Sequence, residues 1–112
     1  MFIIIHRTEC SEIRKIYEYL AETLPNEVNS VIEVNKKWIT VGVENTRIDF
    51  YCGDYSRMAG IRPDYYNTDN ETVAYFLQMM ADRVNGKEIK DISELINIIK
   101  GGINGNSRSD KI

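Results

Sequence analysis

Imidazole and thiol are scarce in this chain: one histidine, His6, and two cysteines, Cys10 and Cys52, in 112 residues. A Ser or Cys nucleophile would have a single imidazole to activate it, set in the first apolar run. The three residues lack metal-ligand spacing, so no metal site is expected. Basic charge is short as well. Lys plus Arg total 14 against 17 Asp plus Glu, a formal charge of −3. General nucleic-acid binding needs a basic footprint and is not expected. A small anion needs only two or three well-placed Arg residues. No stretch approaches the roughly 18–20 apolar residues of a membrane span. Residues 1–5 are too short for a signal peptide's apolar region and lack its basic flank. The expected location is the cytoplasm, with both cysteines as reduced thiols. Gly-x-x-x-x-Gly-Lys-Ser/Thr, Gly-x-Gly-x-x-Gly and Gly-x-Ser-x-Gly are all missing. No catalytic residue and no cofactor is assigned.

What is present has the make-up of one small globular domain, with 43% apolar and 28% charged residues. Phe2 to Ile5 reads as a short buried strand. Thr8 is a candidate N-cap, and Ile13, Ile16, Tyr17, Leu20 and Leu24 follow at helical spacing until Pro25. From Val31 to Cys52 the period changes to two, with turns at Asn35-Lys36-Lys37 and Glu44-Asn45-Thr46. This predicts a three-stranded antiparallel meander. Gly53 to Asn67 has neither period and reads as an irregular loop. Thr68-Asp69-Asn70-Glu71 has the form of a capping box. Val73, Phe76, Leu77, Met80 and Val84 give a second helix, with Met79-Met80 read as core. Asp91 opens a third helix, closed at Gly101-Gly102. The expected fold class is α+β: a small antiparallel sheet with helices on one face, two of them C-terminal. Residues 1–100 form the domain, and 101–112 a flexible or subunit-spanning tail. An open sheet edge and an apolar third helix predict a homo-oligomer.

The segment Arg47 to Tyr66 holds Arg47, Arg57 and Arg62, and five of the seven tyrosines lie from Tyr51 to Tyr75. Guanidinium forks bind phosphate, and flat rings stack on bases. Gly60 lets backbone N–H groups approach an anion, and Asp64 can accept from a ribose hydroxyl or an adenine amine. The equal alternative is structural: tyrosines covering the end of a sheet, and Arg57 and Arg62 paired with Asp54 and Asp64. The ligand reading selects Arg57, Met58, Gly60, Arg62, Asp64, Tyr65, Asn67 and Phe76, with Arg108 reaching over from the tail. Tyr75 and Arg83 lie off the second helix's apolar stripe, toward the loop or a partner chain.

The stretch Arg57-Met58-Ala59-Gly60-Ile61-Arg62-Pro63-Asp64-Tyr65 resembles two families. One is the phage terminase and helicase ATPases, which carry a similar turn before an acidic strand. The chain departs from that pattern: it has no Walker A loop, and Tyr65-Tyr66-Asn67-Thr68-Asp69 is not an apolar strand ending in paired acids. Such kinship implies a decayed piece without the activity. The other is the first-described family of phage Thoeris anti-defence proteins, similar in size, in element order and in this Arg-, Gly- and Tyr-bearing segment. That resemblance implies a sponge for cyclic ADP-ribose isomers, binding them without cleavage to block host immune signalling. Arg57 and Arg62 would be its phosphate ligands, with Tyr65 or Phe76 as a stacking surface. The alternatives are a small inhibitor of a host protein and an Asp-dependent cyclic-nucleotide hydrolase.

Overall fold

Ile3, Ile4 and Ile5 are completely buried, although alternate residues of a strand point to opposite faces. A strand apolar on both faces belongs in the interior of a sheet covered on both sides. The computed structural model places it there. It describes residues 1–53, 58 and 60–109, the side chains at 35 and 102–109 excepted. The elements are β1 (Phe2–Arg7), α1 (Cys10–Thr23), β2 (Val28–Asn35), β3 (Trp38–Val43), β4 (Thr46–Cys52), β5 (Tyr65–Thr68), α2 (Glu71–Ala81), β6 (Lys87–Glu88) and α3 (Ser93–Ser109). A short 3-10 turn, Asp82–Val84, follows α2.

Among the described residues one six-stranded sheet runs in the order β2-β3-β4-β1-β5-β6. The antiparallel meander is β2-β3-β4, and the chain has the mixed α and β content expected of it. The other half is parallel. β1 lies between β4 and β5 and is parallel to both, Ile5 pairing Phe50 on one side and Asn67 on the other. β5 and β6 escaped the sequence reading because Tyr-Tyr-Asn-Thr and Lys-Glu are too short to show a period.

Helices cover both faces of the sheet, which corrects the one-face expectation. Ile13 and Leu20 of α1, Leu24 at its C-cap, and Leu95, Ile96 and Ile99 of α3 pack on Ile3, Ile5, Val41, Ile48 and Phe50. Val73, Leu77 and Ala81 of α2 pack on Ile4, Tyr51 and Tyr66 from the other side, with Met58 among them. The α2 stripe is a strict i, i+4 series, one residue per turn.

Several local expectations are also corrected. Asn70 rather than Thr68 caps α2, its Oδ1 accepting from the N–H groups of Thr72 and Val73 at 2.9 and 3.1 Å. Glu9 is the N-cap of α1 and makes no side-chain capping bond. The backbone of α3 passes Gly101-Gly102 and stays helical to Ser109. Ile103, four residues beyond Ile99, continues the apolar spacing across the glycine pair. Cys10 and Cys52 form a disulfide, not two thiols. Parallel pairing of β1 with β4 sets Cys52 beside Arg7, and the turn into α1 then brings Cys10 within a Cα separation of 4.9 Å. That is inside the range a disulfide spans.

No helix among the described residues is long and apolar enough to cross a membrane.

Candidate functional site

Open sheets with parallel strands commonly bind ligands beyond the strands' carboxyl ends. Here that edge carries Arg7 from β1, Gly53 after β4, Thr68 at the end of β5, and Asp69 and Asn70 after it. Its polar groups bond one another. The His6 ring is buried between the three strands, with Nε2 2.9 Å from the Gly53 carbonyl oxygen and Nδ1 2.8 Å from Thr68 Oγ1. A carbonyl only accepts, so Nε2 carries a proton and donates to it, while Nδ1 and the Thr68 hydroxyl share the second bond. Thr68 Oγ1 in turn accepts from the Asn70 N–H at 3.2 Å. His6 is therefore a satisfied core residue and not a base awaiting a nucleophile.

The turn between β1 and α1 is occupied too. Asp69 Oδ1 accepts from both the N–H and the hydroxyl of Thr8, at 3.0 and 3.1 Å. A carboxylate thus sits where a phosphate would meet this turn's N–H groups. Arg7 bends back to donate to the His6 carbonyl at 2.7 Å. Burial lowers the Arg7 pKa, while Asp69 and Glu12 oppose the shift.

The predicted anion-and-ring residues meet elsewhere, on the outer face of α2. Gly60, Ile61, Arg62, Phe76, Met79, Met80 and Arg83 enclose a hollow of about 240 Å³. Phe76, Met79 and Met80 of α2 fall at i, i+3 and i+4, one stripe beside the buried one, and Arg83 follows from the 3-10 turn after the helix. Gly60 has φ of +82°, a left-handed conformation open to glycine. It turns the chain so that Ile61 packs on the α2 core while Arg62 stays exposed. Phe76 is half-buried and Arg83 exposed. Among the described residues neither guanidinium is in an ion pair, and no carboxylate lines the hollow. Two cations flanking an apolar floor suit an anion attached to a flat ring.

The remaining selected residues are placed apart from this hollow. Met58 is wholly buried in the core beneath α2. Asp64 faces the amino end of β1, where Oδ2 accepts the Phe2 N–H at 2.8 Å. Tyr65 packs against the α1/α3 core. Asp64 and Tyr65 line a separate hollow with Met1, Asn85 and Lys87. Asn67 is buried and donates from Nδ2 to the Ile89 carbonyl at 2.6 Å, tying β5 to the chain after β6. The reason is the pleat: Tyr65 and Asn67 alternate with Tyr66, so they point away from α2. Arg57 and the Arg108 side chain lie outside the described residues.

Met79 was read as core but is 56% exposed. It sits off the i, i+4 stripe, which was the available signal. Arg83 was placed only as off-stripe, and the structure brings it to Arg62. Arg47 is withdrawn from the anion set, because both its nitrogens at the fork are committed to Asp49. Among the described residues no group of three or more His, Cys, Asp or Glu is arranged to hold a metal ion.

No family model matches the chain, and no curated protein matches it either. Among solved structures it is similar to the large terminase of a thermophilic bacteriophage, solved in complex with ADP. The TM-score is 0.55 at 12% identity, over 78% of this chain and 24% of that one. The likeness is one of fold. This chain spans about a quarter of the terminase chain's length.

Proposed function

We propose that this chain is a phage-type anti-defence protein that binds a nucleotide-type signal, a cyclic ADP-ribose isomer, and holds it without cleaving it. The observation that carries the reading is the placing of Arg62 and Arg83 beside Phe76 around a hollow lined by no carboxylate among the described residues. A phosphate between the two guanidiniums would leave the attached ring over Phe76 and Met79. The hollow is smaller than the roughly 300–1,000 Å³ of a complete ligand pocket, so it would seat one phosphate and one ring of a larger ligand. Non-turnover binding asks only for complementarity to the ground state. The host cytoplasm, where such signals arise, is the proposed location, and it requires the Cys10–Cys52 disulfide to persist against a reducing environment. The resemblance to the Thoeris anti-defence family supports the ligand class. The fold likeness to a terminase solved with ADP adds ADP itself as a comparison ligand.

The test is calorimetry with cyclic ADP-ribose isomers, cyclic oligonucleotides and ADP, followed by denaturation and mass measurement of whatever is released. Expected is tight binding with the ligand recovered intact. Arg62→Ala and Arg83→Ala should each weaken it by about tenfold or more, the loss of one charge-assisted contact. Both side chains are exposed, so melting temperature should hold. Recovery of an altered ligand would make the protein an enzyme, and no binding by any of these compounds ends the nucleotide reading.

A second reading, an inhibitor docking on a host protein, is favoured by Tyr75, which is 73% exposed one turn from Met79. Exposed aromatic residues are common anchors of interfaces. It predicts a host protein in a pulldown that Tyr75→Ala abolishes, with no small molecule bound. The hydrolase reading gains no support from the geometry, since Asp64 is bonded to the Phe2 N–H and Asp69 to Thr8.

A further inference from the structure

Cys10 and Cys52 stand in unlike surroundings. Cys52 ends β4 and is 2% exposed, packed into the core beneath α1 and α3. Cys10 is the first residue of α1 and is exposed. Beside it a hollow of about 560 Å³ opens between the start of α1 and the turn from β2 into β3. Arg14, Glu33, Lys36, Lys37 and Trp38 line it together with Cys10. Three of these side chains are cationic and one is anionic, in a chain whose formal charge is −3. The one carboxylate, Glu33, is turned toward Arg14 at 3.8 Å. Glu9 and Glu12, the acids nearest Cys10 in sequence, do not line the hollow, and Lys15 pairs with Glu12 at 3.1 Å. The Cys52 N–H donates to the Lys37 carbonyl at 3.0 Å. The turn that carries Lys36 and Lys37 is thereby fastened to the backbone of the buried cysteine.

We infer that Cys10 and Cys52 are a peroxide-reactive pair, with Cys10 the attacking sulfur and Cys52 the resolving one. The thiolate is the nucleophile, and a helix N-terminus with Lys and Arg nearby favours it. Cys10 has both, and its hollow admits the oxidant. Cys52 lies in apolar surroundings, which favour the neutral thiol. In the first step the Cys10 thiolate attacks the terminal oxygen of a hydroperoxide. An S–O bond forms, the O–O bond breaks, and the leaving oxygen takes a proton from solvent. Cys10 is oxidised to a sulfenic acid, and the peroxide is reduced to an alcohol or water. In the second step the Cys52 sulfur attacks the Cys10 sulfur. The S–S bond forms, the S–O bond breaks, and the Cys52 proton leaves with the sulfenic hydroxyl as water. Burial keeps Cys52 from the peroxide, while a Cα separation of 4.9 Å keeps it within reach of Cys10. In the cytoplasm proposed above the bond faces reducing thiols, and peroxide renews it. The inference stands whether or not the α2 hollow binds a nucleotide.

The test starts from the full chain reduced with dithiothreitol and then freed of it, with circular dichroism to follow the fold. Hydrogen peroxide is added with and without dimedone, which captures sulfenic acids, and the intact protein and its peptides are weighed. Expected without dimedone is the disulfide, and with it an adduct on Cys10 alone. Cys52→Ala should accumulate the Cys10 adduct, and Cys10→Ala should give none on Cys52. Lys36→Glu with Lys37→Glu reverses the charge of the hollow at two exposed turn positions. It should slow the oxidation of Cys10 by about tenfold, the scale of one pK unit, with melting temperature held. A chain that loses its fold on reduction has a purely structural disulfide and overturns the inference. So does an adduct on Cys52, the absence of any adduct in the folded wild type, or a rate indifferent to the charge reversal.

Discussion

Arg47 holds both carboxylate oxygens of Asp49 from two positions away on the same strand. Nε meets Oδ1 at 2.9 Å and Nη2 meets Oδ2 at 3.0 Å. The carboxylate is almost wholly buried while the Arg47 side chain is more than half exposed. The Thr40 hydroxyl also donates to Oδ1 at 3.0 Å, and the Arg47 guanidinium stacks over Phe2 at 5.3 Å. Hydrogen bonding to Asp49 raises the Arg47 pKa, against the smaller effect of burial.

Arg47→Ala should therefore destabilise by about 2–3 kcal/mol, less than the ~3–5 kcal/mol for breaking a fully buried pair. Urea unfolding measures this. Asp49→Asn added to Arg47→Ala should recover part of the loss, because the uncompensated charge is gone. Ligand binding at the α2 hollow should be unaffected by either change.

Reduction of the disulfide removes a constraint on the unfolded chain. Its 42-residue separation corresponds to about 4 kcal/mol by the chain-entropy relation. Dithiothreitol, or Cys52→Ser, should lower the melting temperature by at least about 10 °C. An unchanged melting temperature would return both cysteines to the thiols that the sequence reading expected, and to a reducing compartment.

Tyr66 gives the alkaline limit. Burial, then the neighbouring Glu88, pushes its phenol up to about 12 from 10.0, and its hydroxyl donates to Gln78 Oε1 at 2.6 Å. The raised folded-state pKa means the unfolded chain loses the proton first. This contribution is complete below about pH 10 and is lost as pH rises toward 12. Phenolate absorbance should show Tyr66 titrating late, and Tyr66→Phe should reduce, without abolishing, the loss of stability between pH 10 and 12, because Tyr51 contributes to the same loss. Tyr51, raised further by burial and by Asp49, should remain protonated throughout that range.

Gly86→Ala tests the junction between α2 and β6. A Cβ there would run into the Pro63 carbonyl oxygen and stand 2.9 Å from the Ala81 Cβ. Lys87 N–H to the Asp64 carbonyl at 2.9 Å holds the two chain segments together, so neither can retreat freely. A loss of about 2 kcal/mol is expected, the scale of overpacking. Thermal unfolding measures it, and near-wild-type stability would mean the Pro63 segment yields.

The periodic elements were legible from residues alone. Ile13, Ile16, Tyr17 and Leu20 mark α1 by their spacing, and Ile39, Val41 and Val43 mark one face of β3. The Gly60, Arg62 and Phe76 members of the hollow were legible by residue type. Tyr65 and Asn67 were misplaced because residue type says nothing of which face a short strand presents. Neither Thr68 nor Glu71 revealed that Asn70 would take the cap, since all three positions offer capping oxygens.

By itself the sequence determined the amphipathic helices, the meander and the all-apolar first strand, because burial writes itself as a period along the chain. Only the tertiary structure decided that β1 is central and parallel, that helices cover both faces, and that Cys10 reaches Cys52. It alone brought Arg83 to Arg62 and tied His6 into the core. Those relations join residues dozens of positions apart, and no local spacing encodes them. They follow from which strands lie side by side, a choice made by burying all the apolar faces at once.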